Sequence, residues 1–397
     1  MEHLSKRIKN LSESQTIAMN QKSKDMQAQG IDVINLSVGE PDFFTPDHIK
    51  EAAKKAVDDN FSFYSPVPGY PELRKAISEK FKRENNLDYA PEQIVVSNGA
   101  KHSLANALLA LVDAGDEVIV PAPYWVSYAE LVKLSEGKNI ILETSLENDF
   151  KITPDQLKNA ITPNTKAILI CSPSNPTGSI YTKDELEALA KVVAPHERIF
   201  IITDEIYEHI NFVGKHESFA QFDFIKDRVV TINGVSKGYA MTGYRIGYMG
   251  APAWLAKACT KLQGQVTTGP SSIAQQASIA ALNSPPETTE KMRVVFQRRR
   301  DLIMKLLGEI PGVKFNTPAG AFYIFPDVSA YYGKSDGRTT INNSTDFCIY
   351  LLENAHIATV PGEAFGEPKC IRISFATSDE KLEAALKAFK GAAEKLK

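Results

Sequence analysis

At 397 residues the chain is long enough for a large core and, on length alone, for two or three domains. A hydrophobic fraction of 43% beside 23% charged residues excludes disordered and collagen-like chains, and a formal net charge of −3 disfavours nucleic-acid binders and basic membrane-surface proteins. Cys171, Cys259, Cys348 and Cys370 lie far apart without a C-x-x-C pair, which argues against a disulfide framework or a zinc ribbon and for a reducing compartment.

The opening segment, "MEHLSKRIKNLSESQTIAMNQKSKDM", is polar and mixed in charge and has no signal-peptide core, and no apolar run approaches the ~18 residues of a membrane span. A cytoplasmic protein is expected. From about Pro91 short apolar runs alternate with helical patterns: "QIVVS" and "KHSLANALLALV", "DEVIVPAP" and "YWVSYAELVKL", "KAILICSPSNPTG" and "KDELEALAKVV". "RIFIITDEIY", "DRVVTINGVSK" and "RIGYMGAP" follow. Continuous β-branched runs separated by amphipathic segments predict an α/β domain, a mostly parallel sheet flanked by helices. Thr182 and Glu185 form a capping box at the start of one helix.

After about Ser284 the pattern changes. "ETTEKMRVVFQRRRDLIMKLLGEI" reads as one long helix, "VKFNTPAGAFYIF" and "CIRISFATS" as strands, and "DEKLEAALKAFKGAAEKL" as a closing helix. A second, smaller α+β domain is expected from about residue 285 to the end.

Several chemistries drop out. "YGKS" resembles the end of a phosphate-binding loop, but Val328 stands where that motif needs its first glycine. No G-x-G-x-x-G follows a strand, no G-x-S-x-G elbow is present, and the histidines have no metal-ligand spacing.

In an open parallel sheet the ligand crevice lies beyond the carboxyl ends of the strands. The residues found there form one set. Gly99, Ala100 and Lys101 open a helix after "QIVVS", where free N–H groups and the helix dipole suit a phosphate. Trp125 follows "EVIV", Asn175 follows "AILIC", Asp204 and Tyr207 follow "FIIT", and Ser236, Lys237 and Arg245 follow "VVTIN". A ligand with a phosphate, a flat ring and a carbonyl that a lysine captures as a Schiff base would use them all, and pyridoxal 5′-phosphate has those parts. Asp204 would keep the pyridine nitrogen protonated, and Tyr207 and Asn175 would bond the ring oxygen.

Taken singly, each residue has an ordinary explanation. Lys237 could be a surface charge, Asp204 and Ser236 helix caps, Trp125 core, and Arg245 and Arg372 surface or ion-paired arginines. Tyr64, Tyr207 and Asn175 could serve turns or packing, and Gly39 and Gly99 could serve turns. Independent causes of that kind would not put the parts in one order at the ends of successive strands.

"SPSNPTG", "DEIY", "SKGYAMTGYRIGY" and "CIRISFA" resemble, in order and spacing, the class I aminotransferases of fold-type I, and "PAPYWVSY" with "SVGEPDF" resembles their bacterial aspartate aminotransferase branch. The resemblance runs from Gly39 to Arg372. It implies that Lys237 bears the Schiff base and shuttles the proton, that Asp204 pairs with the ring nitrogen, and that Trp125 stacks on the ring. Gly99, Ala100, Ser236 and Arg245 are implied to bind phosphate, with Tyr64 reaching the phosphate of a neighbouring subunit in a homodimer with shared sites. Arg372 is implied to clamp the substrate α-carboxylate, and Gly39 to meet the substrate where residues 1–44 join residues 285–397 as a small closing domain over a large domain, 45–284.

Lys101 stands where similar branch members place a lysine that reaches the side-chain carboxylate of aspartate; an ordinary solvated lysine is its competitor. Branch members that also transaminate prephenate carry a lysine where this chain has Ser12, which weakens that expectation; nearby Lys9 could take the part, and prephenate activity stays open. The leading expectation is transfer of an amino group from aspartate to 2-oxoglutarate. Alternatives are a broader aromatic, alanine or prephenate specificity, a pyridoxal-phosphate β-lyase, and a non-enzymatic binding protein that keeps the fold. The last predicts loss of the lysine or an added DNA-binding region, and neither is seen.

Overall fold

The computed structural model describes residues 3–13 and 15–397; Met1, Glu2 and Ser14 of the polar opening segment lie outside the described residues. A central sheet contains strands β1 (Ile94–Ser97), β2 (Glu117–Pro121), β3 (Lys138–Leu142), β4 (Thr165–Cys171), β5 (Phe200–Asp204), β6 (Val229–Gly234) and β7 (Gly247–Gly250). Their order is β1-β7-β6-β5-β4-β2-β3, and β7 alone runs antiparallel to its neighbours. The other six share one direction, so the residues after Ser97, Pro121, Cys171, Asp204 and Gly234 emerge along one edge.

The strands read as continuous apolar runs because both faces are covered. Ile94 and Val96 pack with Leu73, Ile77 and Leu186 on one side, while Val95 between them packs with Leu104, Leu108 and Leu255 on the other. The Thr182–Glu185 capping box forms: Thr182 Oγ1 accepts from the Glu185 N–H at 3.3 Å, and Glu185 Oε2 from the Thr182 N–H at 2.7 Å.

Two features depart from simple strand–helix alternation. Strand β3, half-exposed at the sheet edge, has no signal as strong as the buried runs. The crossover from β5 to β6 contains no α-helix, only the 3₁₀ turns Phe219–Gln221 and Lys226–Arg228. Buried side chains hold this crossover instead. Glu205 accepts from Ser218 Oγ at 2.6 Å and pairs with His216 Nε2 at 2.9 Å, and Glu208 pairs with the fully buried Lys80 and accepts from Asn85 Nδ2 at 2.8 Å.

Beyond the sheet, Glu287–Gly308 is one long helix and Asp379–Ala393 closes the chain. The run "VKFNTPAGAFYIF" contributes only Tyr323–Ile324 to a three-stranded antiparallel sheet with Val360–Pro361 and Ile371–Ser374. The N-terminal segment reaches this region: Ile34–Asn35 pairs in parallel with Ile357–Ala358, and Met19, Val33 and Leu36 share a core with Phe296, Ile303, Phe347 and Phe389. Asp42 accepts from both terminal nitrogens of Arg299, at 2.7 and 2.9 Å, fastening the chain just past Gly39 to the long helix.

A glycine joins the sheet to the site. A Cβ on Gly247 would lie 2.1 Å from the backbone nitrogen of Ala100, so β7 passes directly against the start of the helix Ala100–Leu111. Gly247→Ala should therefore lower stability by about 1–3 kcal/mol, as overpacking does. Urea unfolding measures this, and an unchanged midpoint would show that the helix start is free to move.

Candidate active site

A cavity of about 310 Å³ opens at the carboxyl edge of the sheet. Every residue expected from the sequence to meet the cofactor, the aspartate substrate or the phosphate lines it except Gly99 and Tyr64; Lys9 and Ser12, considered for prephenate, do not. Gly99 stands directly behind the wall, with φ +86°, and a Cβ there would come within 2.3 Å of Arg245 Nη2. Tyr64 is 94% exposed and away from the cavity of its own chain. Lys101, Lys237, Arg245 and Arg372 line the space against one carboxylate, Asp204, which makes it a receptor for anions.

At one end, Gly99 caps the helix Ala100–Leu111 without any side-chain hydrogen bond to its first turn. Unpaired N–H groups and the positive end of the helix dipole face the cavity there. Arg245 sits beside them in a left-handed backbone conformation, φ +58°, its Nη1 donating to the Thr242 carbonyl at 2.9 Å. Ser236 also lines the cavity.

In the middle, Lys237 Nζ donates to the Gly39 carbonyl at 2.6 Å. Burial draws its ammonium down to about 8, and the charges of Arg372 and Arg245 act in the same direction against Glu40 and Asp204. Asp204 is buried; its Oδ2 accepts from Tyr128 Oη at 2.7 Å and its Oδ1 from the Ile206 N–H at 3.3 Å. Burial raises Asp204 to about 6, against the two hydrogen bonds that favour the anion. Trp125 forms a wall, with Lys101 Nζ 4.7 Å from its ring centre. Burial, followed by the charge of Arg245, lowers the Lys101 ammonium.

At the far end, Arg372 is 1% exposed. Its Nη1 donates to Asn175 Oδ1 at 3.0 Å and its Nη2 to the Ser37 carbonyl at 2.6 Å, while its buried Nε has no partner. The guanidinium lies over the Tyr323 ring at 4.6 Å. Tyr323 Oη and Tyr207 Oη are hydrogen-bonded at 2.9 Å, and Asn175 Nδ2 lies 3.5 Å from Tyr207 Oη. A Cβ on Gly39 would meet Tyr323 Oη at 2.7 Å, so a side chain here would have to displace the Tyr323 hydroxyl.

Reading strand ends alone missed Tyr128, Tyr323, Cys171 and Thr242, which also line the cavity. Tyr128 lies three residues after Trp125, and that spacing puts them on one side of a helical turn; the other three carry no comparable signal.

The sequence model of the family "Aminotransferase class I and II" matches residues 31–389, and the chain belongs to that family. It is 48% identical over 394 residues to an aspartate aminotransferase of Bacillus subtilis, covering 99% of both proteins. It is 47% identical over 395 residues to an aspartate/prephenate aminotransferase of Cereibacter sphaeroides, covering 97% of each. The crystal structure of the aspartate aminotransferase from Rhizobium meliloti matches with a TM-score of 0.96 at 43% identity, covering all of both chains. The fold is therefore that of fold-type I transferases.

With its folded value near 8, Lys237 should become a free amine through about pH 8 rather than at its ordinary 10.5. Reductive methylation of the cofactor-free protein, read by mass spectrometry against pH, should label Lys237 with a midpoint near 8. A midpoint near 10 would mean that the site does not desolvate the lysine.

Proposed function

We propose that the chain is an aspartate aminotransferase that uses pyridoxal 5′-phosphate on Lys237 and transfers the amino group of aspartate to 2-oxoglutarate. The observation that carries this reading is a buried arginine with an unpaired nitrogen, Arg372, at one end of a cationic cavity that has an uncapped helix start at the other and a desolvated lysine between.

The donor set fits the cofactor. The first-turn amides of Ala100 and Lys101, with Ser236 and Arg245, would hold its phosphate, Trp125 its ring face, Asp204 its ring nitrogen, and Tyr207 with Asn175 its ring oxygen. When bound, the cofactor supplies a carbonyl carbon that captures amines and a ring that accepts the electron pair left on a substrate carbon. The chain's own residues do the rest. Arg372 binds the α-carboxylate through its charged N–H groups and so fixes which bond at the α-carbon faces Lys237. Lys237 Nζ, lowered toward neutrality, takes the α-proton as a general base and returns it as a general acid. Lys101 meets the distal carboxylate, whose negative charge would offset the burial and the Arg245 repulsion that disfavour its ammonium.

Residues 1–44 and 285–397 act in this reading as the closing unit and residues 45–284 as the cofactor-binding unit, with closure excluding water while the α-carbon is deprotonated. The working form is a homodimer, in which exposed Tyr64 reaches the phosphate site of a second copy of the chain. The Ser12 N–H donates to Glu130 Oε2 at 2.9 Å, so that segment is anchored to the helix Ser127–Leu134 and offers no lysine at position 12.

Borohydride reduction of protein mixed with pyridoxal 5′-phosphate should bleach its visible absorption and leave a single adduct on Lys237; an adduct elsewhere, or none, refutes the assignment. Lys101→Ala should raise KM for aspartate about tenfold more than KM for alanine, the mark of a lost ground-state contact to the distal carboxylate. Equal effects on both donors would remove Lys101 from substrate recognition.

A further inference from the structure

We propose that Tyr128 is a positioning residue for Asp204, its hydroxyl bond to Oδ2 holding that carboxylate both in place and in its anionic form. The inference rests on the reading of Asp204 as the partner of the cofactor's ring nitrogen, and it concerns the chain's own hydrogen bond.

Tyr128 belongs to the first turn of the helix Ser127–Leu134 and is 1% exposed. Its ring stands edge-on to Trp125, centres 5.4 Å apart, so the wall that would cover the cofactor's ring also fixes the phenol. The hydroxyl reaches Asp204 Oδ2 at 2.7 Å, and the Ile206 N–H reaches Oδ1 at 3.3 Å. Together the two donors engage both carboxylate oxygens and leave further lone pairs on each for a partner in the cavity.

The charged and titratable neighbours leave Tyr128 a decisive place. Glu205, the next residue, destabilises the anion, and Lys237 stabilises it. The Cys171 thiol at the end of β4 is kept neutral by burial and by Asp204 itself. Asp204 sits near 6 with the phenol donor in place. Removing that donor should take the carboxyl into its neutral form close to physiological pH, where it would no longer hold a proton on a ring nitrogen. A tyrosine serving only as core filling would be replaced by phenylalanine without such an effect.

The test is an infrared pH titration of the cofactor-free full chain, following the carboxylic-acid C=O band that disappears in Asp204→Asn. Tyr128→Phe should move its midpoint up by about one pH unit, equivalent to about 1.4 kcal/mol. Site-specific 3-fluorotyrosine at position 128 keeps the shape, gives a stronger donor, and should move the midpoint down. It supplies the answer if the phenylalanine variant fails to fold. A midpoint unmoved by either replacement overturns the proposal for Tyr128. The cofactor reading fails separately: wild-type protein that gains no visible absorption with pyridoxal 5′-phosphate refutes that reading whatever the titration shows.

Discussion

The guanidinium of Arg372, buried with no ion-paired carboxylate among the described residues, sets the terms for this molecule. Taking a charge out of water costs on the order of several kcal/mol unless something in the protein compensates. Arg372 is compensated only in part, by the Ser37 carbonyl, Asn175 Oδ1 and the face of Tyr323, and its Nε is left unpaired. The fold carries this cost elsewhere, in the aromatic and aliphatic core around Phe296, Phe322, Phe347 and Phe389. A site that is electrostatically incomplete without an anion is suited to receive one, and the proposed reaction begins with an amino-acid carboxylate.

The same constraint explains how the rest of the cavity is built. Arg372 lies on a short strand of the small sheet, whereas Asp204 and Lys237 follow strands of the large one. The N-terminal segment spans the two: Leu36 bonds to Ala358 and Ser374, Ser37 holds the arginine, and Gly39 accepts from Lys237. Four consecutive residues thus connect the carboxylate end to the lysine. A shift of this segment would move the partners of Arg372 and Lys237 together, which suits the proposed reaction, in which water must be excluded when the proton moves.

Much of the site was legible because parallel sheets collect their functional residues at strand ends, and those ends are marked by abrupt changes from β-branched runs to small or polar residues. Asn175, Asp204, Ser236 and Lys237 were found in that way. Arg372 and Gly39 came from family resemblance, since neither follows a strand of the large sheet. Tyr323 and Tyr128 were hidden because an aromatic residue in a strand or on a helix face has the same sequence signature whether it packs in a core or turns its hydroxyl to a cavity. In the fold, strand β3 escaped notice as a half-exposed edge, and the crossover between β5 and β6 is held by Glu205, His216, Glu208 and Lys80, ion pairs between positions whose proximity no local pattern announces.

The most direct test of the central claim is the thermal unfolding of cofactor-loaded wild-type protein and Arg372→Met, each with and without maleate as a four-carbon dicarboxylate. Maleate at 100 times its Kd should stabilise the wild type by about 2.7 kcal/mol. The methionine variant should lose that stabilisation while unfolding no earlier than the wild type without ligand, because it exchanges an incompletely paired buried charge for an apolar chain. A variant that is much less stable by itself, yet still stabilised by maleate, would contradict the account by showing that Arg372 serves the fold and that the dicarboxylate binds elsewhere.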